Sequence, residues 1–389
     1  MSGFRMKVLH VIASIDPKSG GPVEVLKSVS DVFSAAGIYS EVVTLDSENA
    51  EYLDEFPLVV TALGSYAAGY SYSKLLKSWL HKNGARFDFV ILHGLWNYSS
   101  FGAWRGLRDL EVPYFIFTHG MLDPWFKAHK PFKHILKQLY WLIIEGRILK
   151  DARGVLFTCD EERELARGSF WGWNAYTELV VRTGIPDVPA EADSLISEFF
   201  QVFPEISGRK FILFLSRIHP KKGCDLLIEA FIRTAHDYPE TDLVIAGPDQ
   251  VGLRLELEKR VGDAGLKDRV FWLGMIAGNV KWGAFRAAEA FILPSHQENF
   301  GIVVVEALAC STPVLMTDKV NIWREVMLGG GGLVENDDLT GITSLIDLFG
   351  KLSSDERLEM GRRARQTFLN KFEIRKMDKD ILKLVGLAP

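Results

Sequence analysis

The chain has 389 residues, 48% hydrophobic and 24% charged, ordinary proportions that exclude a collagen, a low-complexity chain and a disordered one; at roughly 150 residues per domain the length suits two or three domains. Lys+Arg number 45 against 50 Asp+Glu, a net charge of -5, so nucleic acid is not the expected partner, since chain-wide nucleic-acid binders are usually basic. Three cysteines, Cys159, Cys224 and Cys310, stand far apart; they make neither a zinc cluster nor a disulfide framework and point to a reducing cytoplasm.

Residues 6–13 are apolar and β-branched, the pattern of a buried parallel strand. His10 breaks the apolar run and Asp16-Pro17 follows it, so it reads as a strand and not as a secretion signal. The loop Ser19-Gly20-Gly21-Pro22 comes next, then a helix over 23–36 stopped by Gly37, then a strand over 41–45. Residues 89–92 and 114–117 are two more buried strands, each followed by a His-Gly pair, His93-Gly94 and His119-Gly120. A further strand is expected over 154–158. This alternation predicts a doubly wound α/β domain over residues 1–185. The apolar run 139–144 is far short of the ~18 residues that span a bilayer.

Residues 186–208 hold Pro186, Pro189 and Pro204 and no strand, and read as a linker with one short helix. A second alternation follows over 209–365. Strands are expected at 211–215, 243–246, 270–273, 290–293 and 313–316, with helices at 225–235, 253–262 and 303–309. Two such domains place ligand clefts at the carboxyl ends of both sheets. Facing each other, they would form one interdomain cleft.

The strongest chemical signal runs from Pro294 to Glu306. A strand ends, a loop Ser295-His296-Gln297-Glu298-Asn299-Phe300-Gly301 follows, and a helix starts near Ile302. Loop amides and a helix N-terminus suit a phosphate. Glu298 could accept from sugar hydroxyls and Glu306 from a ribose diol; the plainer reading is a capping acid and an ordinary helical glutamate. A second signal, Ser216-Arg217-Ile218-His219-Pro220-Lys221-Lys222-Gly223, follows the strand 211–215. There Arg217 can grip phosphate bidentately and Lys222 acts as a point charge; the alternative is a solvated turn. Gly20-Gly21 lets backbone approach a ligand, although it is no G-x-G-x-x-G fingerprint and serves equally as a tight turn. His119 follows a buried strand, and His93 is its rival in a similar position.

Together, Arg217-x4-Lys222, Glu298-x7-Glu306, the Gly20-Gly21 loop and His119-Gly120 resemble a family 4 retaining glycosyltransferase of the GT-B fold, in the family's order along essentially the whole chain. The run His119-Gly120-Met121-Leu122-Asp123-Pro124-Trp125 narrows the resemblance to bacterial exopolysaccharide enzymes, and further to a cyanobacterial enzyme of the heterocyst envelope polysaccharide. The resemblance implies two Rossmann-like domains, the second binding a nucleotide sugar, with the tail 366–389 crossing back to the first. It implies UDP-glucose as co-substrate, no other cofactor and no metal. Glu306 would hold the donor ribose. Glu298, with the amides of Asn299, Phe300, Gly301 and Ile302, would hold the donor sugar. Arg217 and Lys222 would clamp the diphosphate, with Gly20 and Gly21 close by. His119 would bond the donor sugar, and the base would lie near Gly274-Met275-Ile276. The leaving phosphate would take the acceptor's proton in a front-face attack.

One departure is the turn Arg182-Thr183-Gly184-Ile185-Pro186, where the family often has Asn-Gly-Ile/Val-Asp; no ligand role is assigned there. Asp378-Lys379-Asp380 matches a D-x-D but sits in a lysine-rich helical tail, and reads as a solvated face. Residues 125–150 carry Lys127, Lys130, Lys133, Lys137, Arg147 and Lys150 against Glu145, interleaved with Phe126, Phe132, Ile135, Leu136, Leu139, Tyr140 and Trp141. That segment could dock on an anionic membrane or hold a lipid-linked glycan acceptor at the inner face of the cytoplasmic membrane. Otherwise its apolar face is core. Two other functions stay open: a sugar-nucleotide epimerase of the same architecture, and a catalytically silent assembly subunit.

Overall fold

The computed structural model describes residues 6–65, 69–125, 127, 130–189, 192–384 and 386. The chain divides into two units, the first made of residues 1–183 and 374–389, the second of 184–373. In the first unit the strands are β1 (Met6–Ile12), β2 (Ile38–Thr44), β3 (Val59–Ala62), β4 (Phe89–His93), β5 (Tyr114–Phe117), β6 (Gly154–Phe157) and β7 (Glu178–Val180). They form one sheet in the order β3-β2-β1-β4-β5-β6-β7, every pair parallel. Helix α1 (Gly21–Ala35) covers one face, where Val25, Val29 and Phe33 meet Val8, Ile91 and Phe117. Leu9, Val11, Leu92 and Ile116 pack on the other face with Trp141 and Ile148. Burial on both faces is why β1 and β4 read as unbroken apolar runs.

The register sets up the site. Ile12 pairs with His93, and His93 with Phe117. The chain therefore leaves β1, β4 and β5 side by side, at the switch point where β1 lies between β2 and β4. Two further helices of this unit are α2 (Pro131–Tyr140) and α3 (Asp160–Arg167).

The second unit begins earlier than expected. Residues 186–208, read as a linker, belong to it. They carry helix α4 (Ala192–Val202), which packs on helix α6 (Gly278–Ala287). The approach is close enough that a Cβ at Gly283 would lie 2.1 Å from the Leu195 carbonyl oxygen. Asp187 adds a two-point ion pair with Arg365, at 2.6 and 2.7 Å. Strands β8 (Lys210–Leu215), β9 (Thr241–Ala246), β10 (Val270–Gly274), β11 (Ala290–Leu293), β12 (Val314–Thr317) and β13 (Gly332–Glu335) form a parallel sheet in the order β10-β9-β8-β11-β12-β13. Helix α5 (Cys224–Thr234) follows β8, and α7 (Ile302–Ala309) follows β11.

The chain rejoins the first unit at Ile374 rather than 366. Met377 and Ile381, at the start of and within helix α8 (Asp378–Leu384), are fully buried in the α1 core. Asp380 is not on a solvated face: it accepts from Arg182 Nη1 at 3.2 Å and lies 3.4 Å from the Arg182 amide nitrogen. This pairing accounts for the arginine at the departing turn.

Candidate functional site

In the second unit two loops are stitched together at the carboxyl edge of the sheet. After β8 the chain makes a short turn over Pro220–Lys222 and enters α5 through Gly223, at φ 65°. A Cβ there would lie 2.0 Å from the Pro294 carbonyl oxygen, so only glycine lets this turn press against the end of β11. His219 Nδ1 accepts from the Lys221 amide at 3.0 Å, and the His296 amide donates to the Lys221 carbonyl at 3.0 Å. Lys222, 8% exposed, is thereby held against Glu298, with which it forms an ion pair.

Glu298 is fixed through its backbone. Its amide donates to the Lys319 carbonyl at 3.0 Å, and its carbonyl accepts from the Asn321 amide at 3.1 Å. Asn321 also reaches Asn299 Oδ1 at 3.3 Å. Phe300 is buried edge-to-face on Phe372, 5.9 Å between centroids. Gly301, at φ 72°, then opens α7, and no side chain caps that helix. Its first amides lack intrahelical partners and, with the helix dipole, favour an anion. Glu306, buried within α7, pairs with Lys281 Nζ at 2.6 Å.

The structure thus joins Lys222 to Glu298 and gives Glu306 a cation that sequence reasoning missed. Lys281 sits on α6, 4.7 Å over the Trp282 ring, with no motif around it. Arg217 is exposed and donates to Gln250 Oε1 at 3.1 Å, apart from the Lys222–Glu298 pair. Gly274, at φ 69°, ends β10 and accepts from the Gly247 amide at 2.7 Å. Met275 beside it is 77% exposed, and Ile276 is half-buried.

The first unit presents two features at the ends of its strands. Gly20 has φ 68° and ψ −128°, a conformation open only to glycine, and α1 starts at Gly21 without a side-chain cap. A Cβ at Gly21 would meet nothing within 4 Å, so packing does not demand glycine there. His119 is the second feature. It has a left-handed φ of 49°, held by Glu162 on α3. That carboxylate accepts from Thr118 Oγ1 at 2.5 Å, the Gly120 amide at 2.6 Å, and the Thr158 amide and hydroxyl at 2.7 Å. Sequence reasoning passed over Glu162; its one signal was its place in the acidic first turn of a helix after a core strand.

His93 is not a rival of His119 but its partner. His93 Nδ1 lies 3.0 Å from His119 Nε2, and His93 Nε2 lies 3.0 Å from His10 Nδ1. Ser30 Oγ of α1 closes the row, 3.3 Å from His10 Nε2. Burial drives the His10 and His119 pKa values down to about 3. Burial, with its two neighbours, holds His93 well below the ordinary histidine range.

Helix α2 does not turn its apolar side to the core. Phe132, Ile135, Leu136 and Leu139 are 53–75% exposed, and Ile143 continues the stripe at helical spacing. Tyr140 and Trp141 face inward: Trp141 is buried and Tyr140 bonds the Tyr70 hydroxyl at 2.8 Å. Lys137 lies 4.5 Å over the Trp96 ring, while Lys130 and Lys133 are exposed. A cavity of about 500 Å³ runs beside the stripe, lined by Ile135, Leu139, Leu142, Phe170 and Trp171 among others. Phe126, Ala128 and His129 lie outside the described residues. Among the described residues no helix is long and apolar enough to cross a membrane, and no group of three or more His, Cys, Asp or Glu is placed to hold a metal ion.

Two family models match the chain: a glycosyl transferase 4-like domain over residues 20–184 and glycosyl transferases group 1 over 196–367. The chain belongs to the family 4 glycosyltransferases. This family 4 chain is 30% identical over 149 residues to the lipopolysaccharide core mannosyltransferase LpsB of Rhizobium meliloti, a match covering 36% of it and 42% of that protein. It spans less than half the length of the curated relatives it matches. Sucrose-phosphate synthase from Thermosynechococcus elongatus superposes with a TM-score of 0.81 at 18% identity, over 98% of both chains. Anabaena HepE, solved with UDP and glucose, gives 0.77 at 17% identity, over 98% of this family member and 100% of that chain. These likenesses show the fold, GT-B, and do not carry the narrower identity.

Proposed function

We propose that the chain transfers a sugar, with retention, from a nucleoside diphosphate donor to a glycan or lipid-linked glycan acceptor in exopolysaccharide synthesis, on the cytoplasmic side of the membrane. The observation that carries this is the pairing of Lys222 with Glu298 beside the uncapped start of α7. A cation, a carboxylate and free helix amides together suit a diphosphate joined to a hydroxylated ring. Lys222, Arg217 and the α7 amides would meet the charge of the leaving diphosphate, and transfer would not call on a metal. Glu306 would exchange Lys281 for the ribose diol. Glu298 would exchange Lys222 for sugar hydroxyls, releasing Lys222 to the phosphates. Gly274, Met275 and Ile276 would lie along the base.

UDP-glucose is the donor we propose. The motif resemblance supports it, as do fold relatives solved with UDP and with UDP-glucose. The test is release of UDP from UDP-glucose that requires an acceptor. Interconversion of the donor sugar without acceptor would instead mark an epimerase, and no turnover with any acceptor a silent subunit.

For the acceptor side we propose docking on an anionic membrane through α2. The exposed stripe Phe132, Ile135, Leu136, Leu139 and Ile143, with Lys130 and Lys133 nearby, supports it, because apolar burial and lipid charge then act together. The neighbouring cavity would lodge part of an acceptor's lipid chain. Removing Lys130, Lys133 and Lys137 is expected to weaken co-sedimentation with vesicles containing phosphatidylserine or phosphatidylglycerol, at roughly 1 kcal/mol per charge near the surface. Unchanged sedimentation contradicts it.

A further inference from the structure

The row Ser30–His10–His93–His119 can carry its hydrogens in only one of two directions. All three rings are held neutral by burial, and a neutral imidazole has one N–H and one bare nitrogen. Each N···N contact needs one of each, so the proton position on one ring sets the next. Ser30 decides the direction. It is 2% exposed, and among the described residues its hydroxyl has one hydrogen-bond partner, His10 Nε2. A buried hydroxyl donates rather than leave its hydrogen unpaired. His10 Nε2 therefore accepts, and His10 Nδ1–H donates to His93 Nε2. His93 Nδ1–H donates to His119 Nε2. The one hydrogen of the His119 ring is left on Nδ1, which has no protein partner among the described residues.

We propose that Ser30, His10 and His93 are positioning residues that fix His119 as its Nδ1–H tautomer, so that it donates a hydrogen bond to a substrate oxygen and does not act as a base. The substrate part rests on the reading of His119 as a residue of the reaction. The strained φ of 49° and the Glu162 clamp hold the ring's backbone; the histidine row sets what the ring offers. A hydroxyl oxygen of a sugar is an acceptor of the required kind. This role needs no proton transfer, and none is invoked.

Long-range ¹⁵N–¹H correlation of the histidine rings at pH 7 tests it. The wild type should show the His119 proton on Nδ1; a proton on Nε2 overturns the proposal. Ser30→Ala, which removes only the hydroxyl, should give both tautomers at His119, and an unchanged Nδ1–H form removes Ser30 from its role. His93→Phe should lower kcat about tenfold, the worth of one hydrogen bond, with UDP affinity unchanged. His93→Asn, whose amide N–H can stand where Nδ1–H stood, should restore most of it. Wild-type kcat in His93→Phe severs the row from the reaction. Wild-type turnover in His119→Ala instead removes His119 from the reaction and leaves the ring-proton result standing, so the two failures are distinguishable.

Discussion

Glu298→Gln is expected to lower turnover by at least about 100-fold, the scale of losing one polar group aimed at the reacting centre, while affinity for UDP holds or rises. The reason lies in the pair that Glu298 makes. In the ligand-free chain its carboxylate neutralises Lys222, which is 8% exposed. On the proposed reading, a diphosphate would have to take Lys222 from that carboxylate before being clamped. Glutamine keeps the shape but releases the lysine, so the phosphates meet less competition. The sugar, as proposed, would lose its charged acceptor. Without ligand, the variant should also be less stable by about 1–3 kcal/mol, because a largely buried ammonium has lost its counter-charge. UDP should then raise its melting temperature more than it raises that of the wild type. Wild-type turnover in Glu298→Gln contradicts the assignment. Loss of both turnover and UDP affinity would make Glu298 an anchor of the nucleotide.

Acid should destabilise the fold through its histidine row. His10, His93 and His119 are held neutral by burial in the folded chain, but titrate near pH 6.5 when unfolded. Below about pH 6.5 the unfolded chain binds more protons, so stability rises with pH and is lost as pH falls. Each ring contributes a slope of up to about 1.4 kcal/mol per pH unit. Glu145 acts in the opposite sense. Burial pushes its carboxyl up to about 8, so from about pH 4.5 to 8 the folded chain holds the extra proton and stability falls as pH rises. Three histidines outweigh one glutamate below pH 6.5, leaving a net loss of up to about 2.8 kcal/mol per pH unit on acidification. Above pH 6.5 the glutamate alone acts. Urea denaturation from pH 5 to 8 should therefore show a maximum near pH 6.5, and Glu145→Gln should steepen the acid limb. A flat profile contradicts the burial of these rings.

What the sequence disclosed follows from burial. Strands covered on both faces, such as Phe89–His93 and Ala290–Leu293, are unbroken apolar runs and could be read directly. Val59–Ala62, Glu178–Val180 and Gly332–Glu335 escaped notice because all three are edge strands, short and only partly buried. The stretch 186–208 looked like a linker because it holds three prolines and no strand of its own; the docking of its helix on α6 is a tertiary fact. The loops around Gly20, Lys222 and Glu298 stood out by position after strands. Their ion pairs did not, since Lys222 and Glu298 are 76 positions apart and Lys281 and Glu306 are 25 apart. Strand register, which sets His93 against Phe117, turned an apparent rival of His119 into its partner. On α2 the apolar spacing was legible, but spacing alone could not tell a core face from an exposed one.

The central claim is that the Glu298–Glu306 loop and helix hold a nucleoside diphosphate. A thermal-shift panel of UDP, GDP, ADP and CMP, on wild type and on Glu306→Ala with each referred to its own ligand-free state, tests it most directly. A ligand at ~100 times its dissociation constant adds about 2.7 kcal/mol, well within detection. The expected result is a shift with UDP that disappears in Glu306→Ala. A shift indifferent to Glu306, or none with any of the nucleotides, would contradict the claim.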